Sequence, residues 1–343
     1  MASRPGGRLF FIAIILLIAA NAWTQAWKPP KGKAFFSISY QFLDAGDHLL
    51  SDPVFLGVDL GSKSVDFGTA QSQVLVFDTD IGITDRLALN AAVAFVSSRY
   101  MEGGVHPFGP SNAEGPQDDG DWHSSFQDAR VGARYVALNN GTWALTPMVS
   151  YGFPTTNYLT LGHAAFGRKL NELRLGLDWG RMLSFSGVPK AYLQGNYSYA
   201  FMENVEDLSL DRSNFLVEFG YFLGDSLTLQ VWTDYQNTHG GTDWADLDAH
   251  HHEFEGVFLN HDRSAAADFW RLGAGVTVPV SKDVDVYGNV ATTLWGINTH
   301  KAITVTFGIS WGVHLFGSRS PGMWGQKGDD PDSDMDDWLL EDY

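Results

Sequence analysis

Cysteine is absent from the 343 residues of the chain. This absence excludes a disulfide scaffold and any metal site built from thiolates. The sequence also lacks the His-Glu-x-x-His and EF-hand spacings of dedicated metal sites. A disordered chain is excluded too, because 44% of the residues are hydrophobic and 14% are aromatic. We therefore expect a folded, aromatic-rich protein that needs neither a metal nor another cofactor.

Positive charge is scarce, with 22 Lys and Arg against 40 Asp and Glu and a formal net charge of -18. Proteins that bind nucleic acid need clustered Lys and Arg to meet the phosphates. The balance therefore predicts no nucleic-acid partner. Residues 102 to 123 are acidic and hold no Lys or Arg. An aqueous opening lined by such a stretch would concentrate cations.

Long apolar runs are also missing, apart from residues 9 to 20. That run has 12 residues, whereas a transmembrane helix needs roughly 20. Arg4 and Arg8 precede it and the small-x-small site Ala20-Asn21-Ala22 follows it, which is the three-part pattern of a secretory signal. We predict that residues 1 to 22 are a signal peptide, with cleavage after Ala26 as the alternative.

Period-two alternation runs from Lys33 to Phe316 in twelve segments of roughly ten residues. In residues 213 to 222, polar or small residues alternate with the apolar residues Phe215, Val217, Phe219 and Tyr221. This pattern places successive side chains on opposite faces of a strand. The pattern predicts an all-β protein.

The links between these segments alternate in length. Short turns are predicted at residues 84 to 86, 139 to 141, 184 to 189, 224 to 226 and 281 to 283. Longer links lie near residues 43 to 68, 101 to 123, 155 to 171, 203 to 212, 238 to 265 and 297 to 301. A soluble sandwich would explain the alternation but not these links. They predict an antiparallel up-and-down transmembrane β-barrel of about 12 strands in a bacterial outer membrane.

The predicted barrel covers residues 23 to 316, and an even strand number places both of its ends in the periplasm. Residues 317 to 343 follow as an acidic tail that is too charged to pack on its own. We expect this tail to be disordered. Its Trp338-Leu339-Leu340 is a candidate docking motif for a periplasmic partner.

Aromatic residues gather near the predicted strand ends, as in the interfacial girdles of outer-membrane barrels: Trp143, Tyr151, Phe153, Trp179, Tyr199, Tyr221 and Tyr235. The last strand ends on Phe316. This end is similar to the aromatic-terminated strand that outer-membrane barrels present to their assembly machinery. The expected partners are therefore outer-membrane lipids, lipopolysaccharide and that machinery.

The inward positions of the predicted strands combine charged and aromatic side chains. About twelve strands give a narrow pore in which such groups matter. If unpaired, Arg130, Arg134, Arg174 and Arg271 would form an anion-attracting ring. Ion pairing within the wall is the alternative, because buried charges need partners. The predicted lumen-lining residues are Asp128, Arg130, Arg134, Glu172, Arg174, Asp178, Glu218, Trp232, Asp234, Arg271 and Tyr287.

Three stretches resemble the barrel family named for the MetA pathway of phenol degradation. They are GITDRLAL at residues 82 to 89, FQDARVGARY at residues 126 to 135 and PMVSYGFPT at residues 147 to 155. The resemblance extends loosely over residues 33 to 316. It implies an outer-membrane protein that passes small hydrophobic or aromatic compounds, and it brings no catalytic residues.

These observations leave three functions to compare. The leading one is a passive channel for small organic solutes, in which the charged lining sets selectivity. The second is a structural or assembly barrel plugged by its own charges, with the tail binding a periplasmic partner. The third is an enzyme barrel resembling outer-membrane phospholipase A, which needs a Ser and a His together on the lipid face. We find no such cluster and predict that the protein is not an enzyme. His250, His251 and His252 are interpreted as part of a solvated external loop.

Overall fold

The computed structural model describes residues 26 to 50, 63 to 65, 68 to 102, 117 to 185, 188 to 205, 207 to 243 and 261 to 316. The predicted signal peptide, the acidic tail and the three consecutive histidines lie outside these residues. Among the described residues, no helix is long and apolar enough to cross a membrane. The helix α1 (His261–Ser264) is a single turn.

The described residues build one antiparallel sheet from fifteen β segments. Their bounds are β1 (Lys33–Leu50), β2 (Lys63–Val65), β3 (Gly68–Gly82), β4 (Leu87–Glu102), β5 (His123–Phe126), β6 (Ala129–Tyr135), β7 (Leu138–Asn139), β8 (Trp143–Phe153), β9 (Glu172–Phe185), β10 (Val188–Met202), β11 (Leu210–Phe222), β12 (Thr228–Gly240), β13 (Asp268–Ser281), β14 (Val284–Ile297) and β15 (Thr299–His314).

The sheet closes on itself because β15 pairs with β1, from Lys33↔His314 to Leu49↔Thr299. The segments β5, β6 and β7 are pieces of one barrel strand between β4 and β8, and β2 pairs only with the end of β1. The result is a closed antiparallel barrel of 12 strands, which confirms the predicted fold class. A closed sheet has no free edge that could pair with another chain.

The barrel has two unlike ends. At the turn end, consecutive strands join through tight turns, in which Ile83 N donates to Leu87 O at 2.9 Å and Leu223 N donates to Leu227 O at 2.8 Å. At the loop end most links are longer, as the sequence predicts. The predicted link at residues 297 to 301 is wrong, because Asn298 alone joins β14 to β15. Its φ of 50° is a left-handed conformation that Asn tolerates better than most residues.

Large apolar side chains cover the outer face of the wall. In β11, Phe215 and Phe219 are 43% and 42% exposed, whereas Glu218 is 3% exposed. In β9, Leu173 and Leu175 are likewise exposed, and they alternate with inward polar residues. The barrel is thus apolar outside and polar inside, the reverse of a soluble protein.

Two segments that do not belong to the wall fold into the interior. Residues 26 to 30 enter at the turn end, where Thr146 Oγ1 on the wall donates to the backbone oxygen of Ala26 at 2.8 Å. Residues 155 to 171 enter at the loop end, where Tyr158 and Phe166 pack against Ala94 and Val96 of β4. The interior is therefore a partly filled space with polar walls.

Candidate functional site

The predicted lumen-lining residues lie on the inner face of the wall. Those toward the turn end are Arg134, Glu218, Trp232 and Tyr287, and those toward the loop end are Arg130, Glu172 and Arg174. Asp178, Asp234 and Arg271 lie near mid-height. Asp128 lies in the two-residue break between β5 and β6. Whether a solute touches these side chains stays a prediction. Their contacts show what each one does within the protein.

Arg134 forms an ion pair with Asp80 toward the turn end, and both side chains are buried. The pair reaches from β6 to β3 across the intervening strand β4. Nearby, Asn196 Nδ2 donates to the buried carboxylate of Asp178 at 2.6 Å. These contacts hold neighbouring strands together, as buried charges require partners.

Glu218 is the acceptor of a second buried network toward the turn end. Tyr192 Oη donates to Glu218 Oε1 at 2.7 Å, and Gln194 Nε2 donates to the same oxygen at 2.9 Å. Gln230 Nε2 then donates to Tyr192 Oη at 2.9 Å. The network joins β10, β11 and β12 across the inner face of the barrel.

Residues 26 to 30 cap this network from inside the turn end. Ala26 N donates to Gln194 Oε1 at 3.3 Å, and the Trp27 ring meets the Tyr192 ring edge-on at 6.4 Å between centroids. Gly180 makes room for the segment, because a Cβ there would lie 2.6 Å from Ala26 Cβ. Residues 26 to 30 therefore narrow the barrel at its turn end.

Two of the predicted aromatic residues lie flat against the wall. A Cβ at Gly273 would lie 2.3 Å from the Trp232 ring, and one at Gly308 would lie 2.3 Å from the Tyr287 ring. Glycine on the adjacent strand thus lets each ring cover the backbone instead of projecting across the lumen.

Glu172 is the centre of a charged cluster toward the loop end. It accepts hydrogen bonds from Arg130 Nη2 at 3.1 Å, Arg174 Nε at 2.8 Å and Arg212 Nη2 at 3.3 Å. These arginines come from β6, β9 and β11, so the cluster spans a broad arc of the wall. Since each arginine carries a full positive charge, one carboxylate faces three cations.

The expected ring of four arginines is wrong in its membership. Arg130 and Arg174 do come together, but Arg134 pairs with Asp80 instead. Arg271 pairs with Asp234 across β12 and β13, with Nη2 and Oδ2 2.5 Å apart. Arginines on different strands and at different heights find separate carboxylates, so side-chain charge alone could not place them in one ring.

Arg212 is the member of the cluster that sequence reasoning missed. It was placed in the predicted link at residues 203 to 212, whereas β11 begins at Leu210. Leu216 and Glu218 point inward, so the period-two pattern carried back along β11 would have placed Arg212 on the same face. Arg212 was missed because the predicted strand begins too late, and not because of its residue type.

Residues 155 to 171 form an inner lid over the cluster. Tyr158 Oη donates to Asp128 Oδ1 at 2.5 Å, and burial together with this carboxylate raises the pKa of Tyr158. Tyr158 therefore stays protonated as the donor of this bond. The ring packs against Phe166 edge-on, with centroids 6.2 Å apart. This link folds inward, so that Tyr158, Phe166 and Leu170 are buried.

Asp118 fastens the lid to the rim of the barrel. Its two carboxylate oxygens accept the backbone N–H groups of His163 at 2.9 Å and Ala164 at 2.8 Å. Ser98 Oγ on β4 also donates to Ala164 O at 2.6 Å. Burial alone would raise the pKa of Asp118. The hydrogen bonds from His163 and Ala164, together with electrostatic attraction to His163, outweigh burial and lower the pKa of Asp118 below its usual value of 3.8.

A cavity of about 360 Å³ lies between the lid and the wall. Both charged and aliphatic side chains line the cavity. The charged residues are Asp128, Arg130, Arg168, Glu172 and Arg212, and the apolar residues include Val76, Ala92, Ala94, Leu170 and Met202. The volume falls in the range of sites for small organic molecules, roughly 300 to 1,000 Å³.

Among the residues that the structure describes, no group of three or more His, Cys, Asp or Glu could hold a metal ion. His48 and His300 do approach each other, with their Nε2 atoms 3.1 Å apart. Such a pair fits a hydrogen bond between two imidazoles, one donating and the other accepting.

No protein-family model and no curated protein matches the sequence. Among solved structures, the COG4313 outer membrane channel from Pseudomonas putida F1 has a TM-score of 0.62 at 12% identity, over 86% of this chain and 100% of that chain. The translocator domain of the autotransporter NalP from Neisseria meningitidis has a TM-score of 0.46 at 11% identity, over 81% of this chain and 88% of that chain. The CymD monoaromatic hydrocarbon channel has a TM-score of 0.42 at 9% identity, over 83% of this chain and 90% of that chain. The first similarity shows the barrel fold, and the resemblance to the phenol-degradation family stays a prediction.

Proposed function

We propose that the protein is an outer-membrane channel for the passive passage of small organic solutes. The observation that carries the proposal is a closed wall that is apolar outside and polar inside, with a small-molecule cavity within it. Closed barrels are one of the two structures that satisfy every backbone group within lipid. The exposed belt, which includes Phe215 and Phe219, supplies the lipid-facing surface.

A structural barrel is the second candidate, and specific observations favour it. Residues 26 to 30 and 155 to 171 occupy the interior, and Arg134 and Arg271 are paired within the wall. The channel proposal therefore requires that the two inner segments leave a path or move aside. Of the two, residues 26 to 30 precede the first strand, so they can leave without disturbing the wall.

Solute flux into liposomes separates the two candidates. We expect liposomes containing the mature protein to take up small organic solutes, and a variant lacking residues 26 to 30 to do so several times faster. Removal of residues 317 to 343 serves as the matched deletion and is expected to leave the rate unchanged. Flux that appears only after removal of residues 26 to 30 would favour the structural barrel. No flux from either protein would contradict the channel.

A further inference from the structure

The cavity beneath the lid carries an excess of positive charge. Arg130, Arg168 and Arg212 line it, and Arg174 donates a hydrogen bond to Glu172. Among the described residues that line the cavity, Asp128 and Glu172 are the only carboxylates. Arg263 lies close by as a further cation, and its guanidinium donates to the backbone oxygen of Arg168 at 3.0 Å. The cavity thus differs from the rest of this strongly acidic chain.

The hydrogen bonds of the two carboxylates do not use up the donors around them. Asp128 is occupied by the Tyr158 hydroxyl, and Glu172 is shared among three guanidinium groups. Each guanidinium offers five N–H donors. Arg212 reaches Glu172, the Gln236 side chain and a methionine sulfur, and its buried Nε atom has no hydrogen-bond partner in the described residues. Arg212 therefore retains N–H groups that the two carboxylates do not use.

Aliphatic side chains also line the cavity. Val76 and Ala94 pack beneath the lid residues Tyr158 and Phe166, whereas Leu170 and Met202 pack together near Arg212. Contact with these side chains removes apolar ligand atoms from water, which favours binding. A ligand that matches the cavity has one anionic head and a short apolar body.

We propose that this cavity binds a small organic monocarboxylate. The carboxylate meets the guanidinium groups of Arg212 and Arg130, where planar paired donors suit it. Its hydrocarbon part lies against the aliphatic side chains, chiefly Val76 and Ala94. Residues 155 to 171 cover the bound molecule. The assignment deepens and rests on the proposed channel, because it makes the cavity a binding point on the solute path.

Calorimetric titration of the full mature protein in lipid nanodiscs tests the assignment, with empty nanodiscs subtracted. The three probes each contain six carbon atoms and differ in their head group: hexanoate, hexan-1-ol and hexylammonium. We expect hexanoate to bind roughly tenfold more tightly than hexan-1-ol, because hydrogen bonds to charged groups are the stronger ones. Hexylammonium should not bind measurably. Equal affinity for hexanoate and hexan-1-ol would overturn the proposal.

Two substitutions with opposite expected effects on hexanoate affinity distinguish contact with the ligand from a merely structural effect. Arg212→Gln should weaken hexanoate binding roughly tenfold and leave hexan-1-ol binding unchanged, since the aliphatic side chains of the cavity remain. Glu172→Gln removes the competing carboxylate and should tighten hexanoate binding. The matched control is Arg99→Gln, because Arg99 lies on β4 outside this cavity and bonds to Gln71. Weaker binding in both the Arg212 and Glu172 variants, or in the Arg99 variant, would contradict the assignment.

The binding and flux measurements test separate claims, the anion site and the channel. Head-group-selective binding without flux would leave the anion site intact and remove the channel. Flux without selective binding would leave the channel intact and remove the anion site.

Discussion

At the scale of single residues, the same charge has different consequences at different places in the wall. Arg134 is 1% exposed and faces Asp80 inside the barrel. Breaking a buried pair costs much more than replacing both partners, because the remaining charge loses its counterion without regaining water. On the outer face, an introduced charge destabilises the barrel, because it must be placed in an apolar environment.

Arg134→Met is therefore expected to destabilise the barrel by about 3 to 5 kcal/mol. The double variant Arg134→Met with Asp80→Leu should recover most of this loss, because neither charge of the pair is then left without its partner. Urea unfolding in lipid vesicles measures both effects. A double variant as unstable as the single one would mean that the pair is not what holds β3 and β6 in place.

Phe215→Arg probes the outer face. Phe215 lies near the middle of β11 on the exposed belt, where a charge near the bilayer midplane costs about 2 to 4 kcal/mol. Leu223→Arg is the matched control, because Leu223 is similarly exposed but belongs to a tight turn at the turn end. That substitution should cost about 0 to 1 kcal/mol. Equal destabilisation by the two changes would contradict a lipid-facing belt.

At the scale of elements, the strands were predictable and the inner segments were not. Alternation identifies a strand because one face is apolar and the other polar along its whole length. Residues 26 to 30 and 155 to 171 have no repeating pattern, and their positions depend on contacts with distant wall residues such as Gln194 and Val96. The same limitation applies to ion pairs such as Arg134 with Asp80, which join residues far apart in the sequence. Alternation can therefore assign a side chain to one face of a strand, but it cannot name the partner of that side chain.

The lid depends on Asp118 as its anchor. An Asn at this position offers one acceptor oxygen where the carboxylate offers two, so one of the His163 and Ala164 amides loses its partner. We expect Asp118→Asn to speed hydrogen exchange across residues 158 to 170. Asp119→Asn is the control, because Asp119 is exposed and bonds to His123 away from the lid. Unchanged exchange in the Asp118 variant would contradict the anchoring role.

The effect of Asp118 should depend on pH in one direction. Its pKa in the folded protein lies below 3.8. The stabilisation from the ionised carboxylate is therefore fully present above this value and is lost as the pH falls through the lowered pKa. The difference in exchange between the wild-type protein and Asp118→Asn should therefore persist at pH 5 and shrink only as the pH falls below the ordinary aspartate pKa of 3.8. A difference that disappears already at pH 5 would contradict this assignment.

At the scale of the whole molecule, closure of the sheet is the property on which the others depend. Pairing of β1 with β15 satisfies both edges, and the wall can then place apolar side chains outward everywhere. Such a barrel should resist detergent until it is boiled, because it has no edge strand from which to unravel. We expect different gel mobilities for boiled and unboiled protein. Identical mobilities would count against a closed barrel in the purified protein.

Two neighbouring alanines provide the most direct test of the central claim, that the outer face lies in lipid and the inner cavity is reached by aqueous solutes. Ala92 lines the cavity, and Ala91 beside it on β4 points to the outer face. The chain has no cysteine, so a thiol introduced at either site reacts without background. Water-soluble thiol reagents react with ionised thiolates, which do not form in lipid. With the protein in membranes, Ala92→Cys should be modified by a small reagent of this kind, with a fall in solute flux, and Ala91→Cys should remain unmodified. Modification of Ala91→Cys with an unreactive Ala92→Cys would contradict both the membrane-facing wall and the accessible interior.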